Sequence, residues 1–205
     1  MQSTPERREA AILYAELRNF TRLSEALPPE RVLALANEFF ALAAQVVIAE
    51  GGRVLAVHND SLLAAFFEEE SKNFNKNSIK AAKGVRGSFG SLGERWQKDY
   101  GLPAAVAVGV HSGEIVFGLA GPAGAQQFIA FGDVVSIADR LVHRARAGEV
   151  VISFDVIKSL GSTAAQSLGL EELPALELGK RPALPIYGLV LETRLDFTNN
   201  EGGLK

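Results

Sequence analysis

The chain is 205 residues long, with 21 Lys and Arg against 24 Asp and Glu, 47% hydrophobic residues and no cysteine. That length suits one large domain with a real core, and the lack of cysteine excludes a disulfide framework, thiol catalysis and cysteine-based zinc sites. A net charge of -3 argues against nucleic acid or an anionic membrane as the main partner, because both need basic charge concentrated on one face.

Met1 to Glu9 is polar and mixed in charge, unlike a signal peptide. No uninterrupted apolar stretch of ~20 residues marks a membrane span, so the expectation is a cytoplasmic chain with no membrane segment of its own. Residues 10–15 form a short apolar run ending at Glu16, which reads as a core strand that delivers a carboxylate at its C-terminal end. Pro28-Pro29-Glu30 starts a long helix, with Val32, Leu35, Phe39, Ala43 and Val47 among the apolar residues at helical spacing and Gly51-Gly52 as the stop. Val54–Val57 and Leu62–Phe67 flank His58-Asn59-Asp60-Ser61, which is turn chemistry, and read as a hairpin.

Residues 68–78 read as a solvated loop. A helix over roughly 79–99 follows, weakened by three glycines and dependent on packing of Ile79, Val85, Phe89 and Trp96. Ala104–Val110 and Ile115–Leu119 flank His111-Ser112-Gly113-Glu114 as a second hairpin, Gln126–Phe131 reads as a further strand, and Gly132-Asp133 opens a helix over about 133–146. Short strands are expected near Val150–Ile152 and Tyr187–Leu191. This order predicts an α+β fold with helices on one face of a mostly antiparallel sheet, in one domain without internal repeats.

Glu16 at a strand end and Asp60 in a turn would form an oxygen-ligand site for Mg²⁺ or Mn²⁺ if their strands are neighbours. Turn chemistry at Asp60, or pairing of Glu16 with a nearby arginine, are the structural alternatives. Ser136, Arg140 and Arg144 fall at i, i+4 and i+8, a stripe from which a guanidinium could clamp a phosphoryl group or simply face water. His58, His111 and His143 lack metal-ligand spacing and read as turn or surface residues. Neither a Ser/His/Asp arrangement with a nucleophile turn nor a Walker or dinucleotide glycine motif occurs.

The run Ala15-Glu16-Leu17-Arg18-Asn19-Phe20-Thr21-Arg22-Leu23-Ser24-Glu25 resembles the opening motif of class III nucleotidyl cyclases, usually Ala-Asp-Ile-Arg-Gly-Phe-Thr followed by Leu-Ser-Glu. Asn37-Glu38-Phe39-Phe40, Gly51-Gly52, Asn59-Asp60, Gly109 to Glu114, Phe131-Gly132-Asp133 and Ala138-Asp139-Arg140-Leu141 are similar to later landmarks in the family's order, and Gly179-Lys180 to Tyr187 to its last strands. The resemblance spans residues 9–191, leaving 1–8 as an N-terminal extension and 192–205 as a C-terminal tail expected to fray.

The resemblance implies a ferredoxin-like βαββαβ core of the class III cyclase type. It implies head-to-tail homodimers, or a heterodimer with an intact cyclase chain, with nucleoside triphosphate bound between subunits and two Mg²⁺ or Mn²⁺ ions held by two aspartates. By position, Asp60 matches the second metal aspartate and Arg140 the arginine that stabilises the transition state. Glu16 replaces the first metal aspartate, and Asn19 replaces a glycine in the phosphate-facing turn made with Leu17, Phe20 and Thr21. The purine-reading lysine falls on Ala56, the other purine reader on Ile129, and the ribose-orienting asparagine on Ser136. The expectation is a cyclase-homology domain of impaired activity, with a working adenylate or guanylate cyclase as the alternative.

Overall fold

The central strand of the sheet is set by an apolar run with no solvent face. In the computed structural model, which describes residues 5–161 and 167–189, β1 (Glu6–Arg18) buries Ala11, Leu13, Ala15 and Leu17 on one side and Ala10 and Ile12 on the other. A strand buried on both faces lies inside a sheet covered on both sides. It is followed by α1 (Phe20–Ala26), α2 (Pro29–Ala49), the hairpin β2 (Arg53–His58) and β3 (Ser61–Phe67), α3 (Phe74–Tyr100) and β4 (Ala105–Ala120). Then come β5 (Gln127–Phe131), α4 (Asp133–Arg144), β6 (Val150–Ser153), α5 (Phe154–Ile157), β7 (Leu170–Leu178) and β8 (Arg181–Leu189).

The strand order is β2-β3-β1-β4-β6-β8-β7, with β5 pairing β4 off this path. Its first four strands, joined through α2 and α3, are the ferredoxin-like βαββαβ core, and of the pairings only β4 with β6 is parallel. The fold is α+β, as expected. The helices, however, are not confined to one face. Leu35, Phe39 and Val47 of α2 and Ile79, Val85 and Phe89 of α3 join the cluster on the odd-numbered side of β1. Val134, Ile137, Ala138 and Leu141 of α4 close over the opposite side. The periodicity of a helix says which stripe it buries, and not which side of the sheet receives it.

Several local expectations are corrected. His111 to Glu114 is no turn: β4 runs unbroken for 16 residues, its whole length opposite β1 and β5. His111 sits opposite Ile12 and is buried, its ring Nδ1 2.7 Å from Ser153 Oγ, so it is a core residue and not a surface one. Polar side chains with partners inside the fold look like turn residues in a linear reading. The expected loop over 68–78 ends early, because Phe74, Asn75 and Ser78 are buried in the first turns of α3. The short helix α1 and the strand β7 had no counterpart in the sequence reading.

Among the described residues one helix, the 21-residue α2, is long and apolar enough to cross a membrane by length and composition. Its inner face instead lies on the sheet, while Leu33 and Ile48 are exposed. The N-terminal residues Glu6 to Arg8, expected in an extension, pair with Ile115 to Phe117. The last two residues of the strand expected at Tyr187–Leu191, and the tail over 192–205, lie outside the described residues.

Candidate functional site

The end of β1 and the β2–β3 turn bring the backbones of Glu16 and Asp60 together. Glu16 is registered opposite Ser61, and the Leu17 amide donates to the Asp60 carbonyl oxygen at 2.8 Å. Asn59, with φ of 50°, lets the turn close. Glu16 at the end of β1 and Asp60 in the β2–β3 turn are thus neighbours along the backbone.

What surrounds Glu16 was not expected in detail. Side chains two apart on a strand share a face, and Arg18, two residues on, donates from Nη1 to Glu16 Oε1. Its Nη2 donates to the carbonyls of Val142 and, at 3.1 Å, of Ala145, at the C-terminal end of α4. His143, read from the sequence as a surface residue, is exposed but turns its Nε2 to within 3.6 Å of Glu16 Oε2 while Nδ1 donates to the Asp139 carbonyl at 2.8 Å. Burial pulls the Arg18 guanidinium below its ordinary pKa and the charge of Asp60 pushes it back up; an arginine remains a cation throughout. The side chains of Glu16 and Arg18 are only 14% and 20% exposed, so water screens the pair weakly.

Asn19 stands between β1 and α1 with φ of 69°, the left-handed region that asparagine tolerates better than most residues. Its Nδ2 donates to the Pro103 carbonyl at 2.6 Å, so the side chain that replaces the family's glycine is tied to the α3–β4 connection. Leu17 is buried, Phe20 packs against the core, and Thr21 is exposed.

Ala56 is exposed on β2 and Ile129 is half-buried on β5, two strands that touch. Along the same two strands Val57, Phe128 and Phe131 are each about half exposed, at 52%, 51% and 60%. Phe128 stacks on Phe117, with ring centroids 5.4 Å apart. The surface at the expected base-reading positions is hydrocarbon. Ser136 and Arg140 are exposed on α4, as is Arg144, and Arg140 Nη2 donates to the Glu177 carbonyl of β7.

These residues do not fit a two-metal centre as they stand. Both oxygens of Glu16 face nitrogen groups, Oε1 the Arg18 guanidinium and Oε2 the His143 ring. A carboxylate can serve Mg²⁺ only with an oxygen free to enter a near-octahedral shell.

Residues 3–181 match the family described as the Adenylate and Guanylate cyclase catalytic domain. The chain is 30% identical over 204 residues to "Adenylate cyclase 1" of Rhizobium meliloti, covering 96% of this chain and 30% of that protein, and 24% identical over 183 residues to an adenylate cyclase of Anabaena cylindrica, covering 88% and 36%. It therefore spans about a third of the length of these relatives. Its fold is similar to that of the adenylyl cyclase CyaB from P. aeruginosa, with a TM-score of 0.83, 20% identity, and 94% and 98% of the two chains covered. With the landmarks in order, the βαββαβ core in place and most of the chain matched, the chain belongs to the family of class III adenylate and guanylate cyclase catalytic domains.

Proposed function

We propose that this chain is a class III cyclase domain impaired in cyclisation, serving cyclic-nucleotide signalling as a regulatory, dimerising or nucleotide-binding module. The observation that carries this reading is the hydrocarbon surface at Ala56 and Ile129, where the family reads the purine by hydrogen bonds. Each lost hydrogen bond costs about 1–3 kcal/mol, so the two together forfeit roughly 2–6 kcal/mol of nucleotide binding and selection. Ser136 in place of the ribose-orienting asparagine shortens a third contact.

Head-to-tail pairing of two copies belongs to the same reading. Arg140 and Ser136 lie exposed on α4, as residues offered to a second subunit would. A guanylyl cyclase domain from Blastocladiella emersonii with a similar fold, at a TM-score of 0.75, is described as a non-canonical dimer, which supports pairing of copies but not the head-to-tail arrangement itself. The proposed location is cytoplasmic, and nucleoside triphosphate is the proposed ligand.

Asp60 and Arg140 keep the family's residue types, and the relatives are named adenylate cyclases. They favour a second reading, a working adenylate or guanylate cyclase with relaxed base selection. A third is a heterodimer in which this chain lends Arg140 to an intact partner. The deciding experiment is a cyclic-nucleotide assay with ATP and with GTP, under Mn²⁺ and under Mg²⁺, against an Arg140→Ala background. The expected result is turnover no higher than background from a folded dimer. Turnover that the substitution abolishes overturns the impaired reading in favour of the second, and turnover only on mixing with an intact cyclase chain favours the third.

A further inference from the structure

The corner between Glu16 and Asp60 already contains a cation. Arg18 reaches it from the same strand face as Glu16 and is held there from both ends, by the carboxylate on one side and the Val142 and Ala145 carbonyls of α4 on the other. We propose that the Arg18 guanidinium is the permanent counter-charge of Glu16, taking the place of a divalent ion, so that this corner does not take up Mg²⁺ or Mn²⁺ through Glu16.

Four points support this. A guanidinium cannot leave by losing its proton at any physiological pH, so the competition is between two cations and not between a cation and an empty ligand. A divalent ion bound at Glu16 would stand beside that fixed positive charge in a pocket largely closed to water, where like charges repel strongly. Arg18 is also anchored on its far side: its two carbonyl acceptors lie at a helix C-terminus, the end that favours cations, and they hold the guanidinium against Glu16. The Glu16 side chain is long enough to meet Arg18 without leaving the strand face, which ties the pairing to the residue that replaces the family's aspartate.

The inference rests on the reading of this corner as the family's metal position, and it assigns Arg18 as a positioning residue that acts through Glu16. The test is Mn²⁺ binding to the purified chain, followed by loss of the free-ion electron paramagnetic resonance signal, with no nucleotide present. Arg18→Ala is expected to bind Mn²⁺ at least about tenfold more tightly than wild type, and adding Glu16→Gln to that variant is expected to remove the gain. Glu16→Gln alone, in a chain that keeps Arg18, is expected to leave Mn²⁺ binding unchanged. No tightening in a folded Arg18→Ala variant overturns the proposal. So does a weakening of Mn²⁺ binding by Glu16→Gln alone, a readout that holds even if Arg18→Ala fails to fold. Cyclic nucleotide formed by the wild type would sink the impaired-cyclase reading but not this one, which falls only to the metal measurements.

Discussion

Gly109 of β4 and Val142 of α4 set how closely the helix lies on the sheet. A Cβ at position 109 would stand 2.7 Å from the Ala138 carbonyl oxygen and closer still to the Val142 amide nitrogen. The same turn of α4 offers the Val142 carbonyl to Arg18. Gly109→Ala must push α4 away, and overpacking of this kind costs about 1–3 kcal/mol. The expected outcome is a lower urea midpoint together with tighter Mn²⁺ binding, since a displaced α4 loosens its hold on Arg18. A loss of stability with unchanged metal binding would mean that the helix moves without releasing the arginine.

The single tryptophan reports on a second anchoring point. Trp96 is 1% exposed, its ring is edge-on to Phe89 at 5.5 Å, and its Nε1 donates to Glu38 Oε2 at 3.0 Å, tying α3 to α2. Glu38→Ala leaves that donor unsatisfied and also removes the partner of Arg95. A destabilisation of about 1–2 kcal/mol is expected, read as a shift of the urea midpoint in Trp96 fluorescence. No shift would show that water replaces the carboxylate at little cost.

His111 gives the stability a sign in acid. Burial holds its imidazole below the ordinary value, against the opposing charges of Asp155 and Asp133. The unfolded chain takes a proton on this residue near pH ~6.5, while the folded chain takes it only at lower pH. The unfolded state therefore binds more protons in that window, and stability falls as pH drops through it, levelling off below the folded value. The thermal midpoint is expected to fall between about pH 7.5 and 5.5, and His111→Gln is expected to flatten that fall. An equal fall in the variant would assign it to other groups.

Much of this was legible in the sequence, for reasons that the elements make plain. β1, the β2–β3 hairpin and the buried stripes of α2 and α4 rest on local period and turn chemistry, and these survive in the fold. The neighbouring of Glu16 and Asp60 followed from the strand ends, and an arginine partner for Glu16 was one of two alternatives there. What could not be read was settled by distant parts of the chain. His111 and Ser112 are buried by β1 and by Ser153, and α4 takes the side of the sheet that α2 and α3 leave open. β7, an edge strand with a proline and three glutamates among its leucines, breaks the period-two pattern by which a strand is recognised. Arg18 was visible two residues after Glu16, but its grip on α4 is a contact across 124 positions of sequence.

Restoring the altered positions tests the account of the defect as a whole. Glu16→Asp, Asn19→Gly, Ala56→Lys, Ile129→Asp and Ser136→Asn are expected to recover measurable cyclisation when combined. Asn19→Gly alone relieves a left-handed backbone but gives up the bond to Pro103, so its effect on stability is expected to stay within about 1 kcal/mol. A folded, dimeric quintuple variant without turnover would place the defect elsewhere in the site.

The hydropathy of α2 has a consequence during synthesis. Of this domain's strands only β1 precedes the helix, and β4, which pairs β1 along its whole length, is complete about 70 residues after α2 ends, about 4–14 s at ordinary elongation rates. Until the β2–β3 hairpin follows and β4 completes the sheet, a nascent segment with the apolar character of a membrane span lacks most of the surface it covers. A polar residue at Leu33 or Ile48, on the face that the finished fold leaves to water, is expected to raise the yield of folded domain without touching the core.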